Sequence, residues 1–116
     1  MKNEEIIYTK NHLLNCGFVY VLKCKNQKIY VGFTKTEKRI SNHFTNFTTS
    51  SWTDRYPPVN IIKVLVDKPK KLEQWLTQFL MVKYGINNVR GGSYTQSNDY
   101  SGKRITFKDF VFDYED

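Results

Sequence analysis

Two short tyrosine-bearing runs, Phe18-Val19-Tyr20 and Tyr30-Val31-Gly32, constrain this chain more than any other feature. They lie in β-prone stretches, Gly17 to Cys24 and Ile29 to Phe33, with the polar triplet Lys25-Asn26-Gln27 between them. Aromatic and β-branched residues suit a half-buried pleated surface, and a turn of this length closes two strands into a hairpin. Tyr20 and Tyr30 are therefore expected on neighbouring strands. Tyrosines in a hairpin ordinarily serve packing, so their meaning depends on the rest of the chain.

Helix and strand signals alternate regularly after the hairpin. Thr34 with Glu37 three residues later reads as a capping box. The helix it starts carries Ile40, Phe44 and Phe47 on one face and Arg39 and His43 on the adjoining strip. Thr48 to Pro58 reads as a loop, and Val59 to Val66 as a third strand apolar enough to be largely buried. Asp67 and Lys68 fall at the next helix start, with Pro69 suited to its first position. Leu72, Trp75, Leu76, Phe79 and Leu80 then recur at helical spacing until Gly85 caps the helix, with Glu73 in its first turn. Ile86 to Val89 is a short extended piece, turned by Gly91-Gly92. From Thr95 a polar linker leads to Ile105, Phe107, Phe110, Val111 and Tyr114, with acids at the end. The expected organisation is an extension over 1–16, one domain over 17–94, and a segment over 95–116 packed on it.

A chain of 116 residues holds one modest core and no second domain. Its net charge of +7 points to a polyanionic partner, most simply nucleic acid. Cys16 and Cys24 match neither a metal-ligand spacing nor a disulfide framework and read as reduced thiols of a cytosolic protein. With no apolar signal core and no membrane-length stretch, the expectation is a soluble intracellular protein without a membrane partner.

The order and contexts of Tyr20, Tyr30, Arg39, His43, Glu73 and Asn88 resemble the GIY-YIG nuclease family, from about Gly17 to Tyr94. The first motif departs from the family's pattern: Phe18 stands in place of its glycine and Val19 in place of isoleucine. Val31 is a conservative exchange in the second. Trp52-Thr53, Tyr56-Pro57-Pro58-Val59 and the run from Tyr84 to Tyr94 resemble a branch of viral and microbial stand-alone members. The resemblance implies an α/β (α+β) domain, with a small, mainly antiparallel three-stranded central sheet flanked by helices.

It also implies a metal-dependent DNA endonuclease. In that reading Tyr20 or Tyr30 assists deprotonation of the attacking water, Arg39 binds the scissile phosphate, and His43 organises phosphate and water. Glu73 ligates a single divalent cation, Mg2+ or Mn2+, because one carboxylate with phosphate oxygens and waters suits a hard ion. Asn88, or the adjacent Asn87, braces the site by hydrogen bonding. Lys23, Lys25, Lys28, Lys35, Lys38, Lys63, Lys68, Lys70 and Lys71, with Arg90, are expected to track the DNA (or RNA) backbone without reading bases. Trp52 and Phe47 read first as core or loop-packing residues and second as base-stacking platforms. The alternative is a non-catalytic nucleic-acid-binding module on the same scaffold. Specificity in this family usually comes from additional domains, so a protein partner is a further expectation.

Overall fold

The computed structural model describes residues 16–45 and 50–95. Strands β1 (Cys16–Cys24) and β2 (Lys28–Thr34) form the expected hairpin, with a 3-10 turn over Lys25–Gln27. Helix α1 (Glu37–Asn42) and the one-turn helix α2 (Ser51–Arg55) come next in the chain. Beyond them lie β3 (Pro58–Pro69), α3 (Lys71–Tyr84), a 3-10 turn over Ile86–Asn88, and β4 (Val89–Gly91). The sheet runs in the order β3-β1-β2-β4. β1 is antiparallel to both β2 and β3, and β4 lies parallel to β2.

Side chains alternate across a strand, so β1 and β2 divide their residues between two cores. Val19, Val21 and Val31 face Leu72 and Met81 of α3, together with Val89 and Tyr94, in a largely apolar layer. Tyr20, Leu22, Cys24 and Tyr30 face the other way, toward Ile40 of α1 and Trp52 of α2. The two phenols thus sit on one face, separated from the apolar core by the sheet itself. Both cysteines are buried free thiols, and burial pushes Cys24 up to about 12, which leaves it an inert packing group.

One internal cation fastens α2 to the sheet. Arg90 on β4 is 1% exposed and lies 4.6 Å from the ring centroid of Trp52, which is 2% exposed. Its guanidinium donates to the carbonyls of Ile86 at 2.6 Å and Val89 at 2.7 Å. Trp52 in turn donates from Nε1 to the Ile29 carbonyl on β2 at 2.9 Å. Ring, cation and backbone carbonyls satisfy one another in the interior.

Several expectations change. The sheet has four strands rather than three, because Val89–Gly91 pairs with β2. β3 is an edge strand with β1 as its partner, and it is exposed rather than buried, Ile62 being 55% accessible. The segment read as a loop contains α2, whose N-terminus is capped by Ser50 accepting from the Thr53 N–H at 3.1 Å. Thr34 ends β2 instead of capping a helix, and its hydroxyl closes a local turn with Thr36. α1 is correspondingly short, with Phe44 exposed beyond its end. Asp67 and Pro69 belong to β3, Asp67 with φ 57 in the left-handed region. Phe47 and the segments 1–15 and 96–116 lie outside the described residues, and with them the expected C-terminal packing. Among the described residues no helix is long and apolar enough to cross a membrane.

Replacing Arg90 by Ala leaves the buried Val89 carbonyl and the partly buried Ile86 carbonyl without this donor, at about 1–3 kcal/mol for a buried unsatisfied group. Urea denaturation of Arg90→Ala is therefore expected to show a loss of about 3 kcal/mol. Wild-type stability would mean that Arg90 does not hold these carbonyls in the fold.

Candidate active site

The site begins at the β1–β2 ladder. Tyr20 lies opposite Gly32, and Tyr30 opposite Leu22, so the two phenols sit on one face with ring centroids 6.2 Å apart. Gly32 is needed here for space: a Cβ at this position would overlap the Tyr20 ring and its hydroxyl. The glycine of the second motif thus makes room for the tyrosine of the first.

α1 delivers the next two groups from one helical strip, at i and i+4. His43, at the end of α1, stands 5.5 Å from the Tyr20 ring and 5.1 Å from the Tyr30 ring. Its Nε2 is hydrogen-bonded to the Tyr20 hydroxyl at 2.8 Å. One turn earlier, the Arg39 guanidinium hydrogen-bonds both phenols. Tyr30 has a further bond with Ser50, the same residue that caps α2. Tyr20, Tyr30 and His43 are all at most 9% exposed, whereas Arg39 faces solvent.

Glu73 arrives from α3, and the sheet edge explains how. β4 ends at Gly91, opposite Val31, so β2 continues beyond it without a strand neighbour on that side. The Phe33 N–H and the Gly92 N–H both donate to the Glu73 carboxylate. An acid 9% exposed is thereby held at the end of the sheet, close enough for its charge to be felt by both phenols.

Burial sets the protonation states. It raises the pKa of Tyr20, and Tyr30 adds to the rise while Arg39 opposes it. Tyr30 is raised by burial and by Glu73, again against Arg39. Both phenols therefore keep their protons at neutral pH. Burial, with help from Arg39, lowers His43 to about 4, so its imidazole is neutral. Burial works against the charge on Arg39, but its hydrogen bonds to Tyr20 and then Tyr30 more than offset this and keep it cationic. Burial raises Glu73, while the Gly92 N–H, Lys70 and Arg39 pull the other way. The result is a neutral imidazole beside a phenol, an exposed cation above both phenols, and one carboxylate at the rim.

Among the described residues no group of three or more His, Cys, Asp or Glu side chains gathers. Glu73 is accordingly a single hard oxygen donor. Such a donor fits a cation that draws its other ligands from phosphate and water.

Five of the six expected site residues converge: Tyr20, Tyr30, Arg39, His43 and Glu73. Asn88 does not bond to them. Its Oδ1 accepts from Lys28 Nζ at 2.8 Å and its Nδ2 donates to the Tyr84 carbonyl at 2.7 Å, tying the hairpin turn to the end of α3. Asn87 accepts from Arg90 at 3.4 Å. Arg90, expected at the nucleic-acid surface, is interior, and Trp52 is a core residue rather than a base-stacking platform. The lysines divide between the two ends of the sheet. Lys23, Lys25 and Lys28 stand at the hairpin turn, and Lys28 also lies 5.4 Å over the Tyr56 ring. Lys35 and Lys38 stand at the opposite end beside Arg39, where the end of β3 and the start of α3 bring Lys68, Lys70 and Lys71. Ser50 and the backbone donors of Phe33 and Gly92 had no signal in the sequence, since any residue but proline supplies an N–H.

A family model described as the GIY-YIG catalytic domain matches residues 16–78, and the chain belongs to the GIY-YIG family. Members of that family are endonucleases acting on DNA, typically with a divalent metal. The match spans Tyr20 through Glu73 and ends before Asn88 and Arg90. No curated protein and no solved structure matches the chain.

The displaced His43 pKa carries a pH signature of known sign. Between about 4 and the ordinary 6.5, the unfolded chain binds a proton at His43 that the folded chain does not. Stability therefore falls as pH drops through that window. Paired denaturation curves are expected to show this fall in the wild type and a shallower one in His43→Gln. Parallel curves for the two proteins would mean that His43 titrates normally in the fold.

Proposed function

We propose that this chain is a metal-dependent DNA endonuclease with Tyr20, Arg39, His43 and Glu73 as its working groups. The observation that carries this reading is the 2.8 Å contact between the Tyr20 hydroxyl and a buried, neutral His43. A phenol raised by burial is not a base on its own, because it holds its proton too tightly. Linked to an acceptor, it becomes one: as Tyr20 takes a proton from water, it passes its own to His43 Nε2. Tyr30 is assigned the role of lining the site and holding Arg39.

Arg39 is the charged group of the cluster that faces outward. Its planar fork matches two phosphate oxygens, and its contact strengthens as charge builds on phosphorus during in-line attack. Glu73 would hold the divalent cation, Mg2+ or Mn2+, which supplies Lewis-acid stabilisation of the phosphate oxygens. Lys35, Lys38, Lys70 and Lys71 draw the DNA backbone toward this end of the sheet without reading sequence. Water enters on the side opposite the leaving 3′-oxygen, and the products carry 5′-phosphate and 3′-hydroxyl ends.

Cleavage of linear, nicked, flap and branched DNA, with and without Mg2+, tests the reading. Metal-dependent scission of at least one substrate is expected. Binding without scission on the whole panel would favour the non-catalytic module. Glu73→Gln is the sharper variant, since it removes a charge that is costly to bury while keeping the shape. Its cleavage rate is expected to fall by roughly 1000-fold, the worth of several kcal/mol of metal stabilisation. Its metal-free melting temperature is expected to rise, and DNA affinity to stay close to wild type. A lower melting temperature with undiminished cleavage would remove Glu73 from the site.

A further inference from the structure

We propose that Gln74 is a positioning residue that aims the Glu73 carboxylate by clamping the Gly91–Tyr94 turn onto the first turn of α3. This rests on the reading of Glu73 as the metal ligand. The turn is closed by paired bonds between Gly91 and Tyr94, N–H to carbonyl at 3.1 Å in one direction and 2.8 Å in the other. Within it Gly92 sits at φ 54, a left-handed conformation that turns successive N–H groups toward one side. Those two N–H groups meet two successive side chains of α3. The Gly92 N–H goes to Glu73, and the Ser93 N–H goes to Gln74 Oε1 at 2.7 Å.

Gln74 grips Ser93 twice. Besides accepting that N–H, its Nε2 donates to Ser93 Oγ at 2.9 Å. An amide carries a donor and an acceptor on one planar group, so it closes this two-point contact. A glutamate here would lose the donor and set a second negative charge beside Glu73. The approach is close enough that a Cβ at Gly92 would overlap Gln74 Oε1. One helical turn further on, Gln78 Nε2 donates to the Tyr94 hydroxyl at 3.3 Å, so α3 holds the turn at two points.

The effect on Glu73 is one of leverage. The Gly92 donor is fixed only if the turn is fixed, and the turn is tied to α3 through Gln74. Without that tie, Glu73 keeps its helix position and its Phe33 donor, but loses a fixed Gly92 partner. Groups that orient a metal ligand by hydrogen bonding typically carry roughly 10- to 100-fold in metal affinity. Gln74 itself touches neither phosphate nor water in the proposed chemistry. It acts through Glu73.

Calorimetric titration of Mn2+ into the full chain, with metal-free melting curves alongside, tests this on wild type, Glu73→Gln, Gln74→Ala and Ser93→Ala. Gln74→Ala is expected to bind Mn2+ about tenfold more weakly while melting close to wild type. Ser93→Ala removes only the hydroxyl arm and is expected to lose roughly threefold. A lower melting temperature for Gln74→Ala with wild-type Mn2+ affinity would overturn the proposal, leaving a packing contact. If Gln74→Ala fails to fold, Ser93→Ala decides: weakened Mn2+ binding supports the clamp, and unchanged binding overturns it. Wild-type Mn2+ affinity in Glu73→Gln would instead overturn the assignment of Glu73, and the clamp with it. Loss of Mn2+ in Glu73→Gln with full binding in Gln74→Ala would overturn the clamp alone.

Discussion

A phenol occupies the middle of this sheet because the residue across the ladder from it is glycine. Tyr20 is fully buried, and any side chain at position 32 would overlap its ring. That one vacancy fixes the rest of the polar face. Tyr20 fills it and turns its hydroxyl to His43, and Tyr30 packs beside both rings. α1 must then cross this face to bring His43 into contact, which places Arg39 over the two hydroxyls one turn earlier. α2 closes the far side through Trp52, held by the buried Arg90.

The same burial decides the chemistry open to the cluster. Taken from water, phenol and carboxyl groups favour their protonated forms and imidazole its neutral form, so every group but Arg39 resists charge. A proton then moves most easily between neighbours already bonded, and Tyr20 and His43 are such neighbours. In the proposed reading, charge brought by a phosphate is met at the surface by the exposed Arg39, with the lysines of that sheet end behind it. Membership of the GIY-YIG family gives this arrangement its class, that of nucleases.

The parts legible in the sequence were those written in local pattern. The hairpin and the long helix α3 were readable from strand propensity and helical spacing, and the grouping of Tyr20, Tyr30, Arg39, His43 and Glu73 from the resemblance to the GIY-YIG family. What escaped was decided by neighbours. An apolar run such as Val59 to Val66 reads as buried, yet as an edge strand β3 is exposed, because burial depends on what lies over a strand. Val89–Gly91 is too short to announce a strand and becomes one through its parallel pairing with β2. Arg90 was expected along a nucleic-acid backbone; its place against Trp52 is a tertiary fact. Asn88 had the right residue type, but its hydrogen bonds serve Lys28 and the end of α3.

The proposed chemistry turns on the direction of the Tyr20–His43 hydrogen bond. If Tyr20 hands its proton to His43, the imidazole must rest with its proton on Nδ1 and Nε2 bare. Nitrogen-15 NMR of the imidazole at neutral pH reads this directly. Proton transfer from Tyr20 predicts an unprotonated Nε2 that gains its proton only near pH 4, with a changed signal in Tyr20→Phe. A proton resting on Nε2, insensitive to Tyr20→Phe, would contradict it.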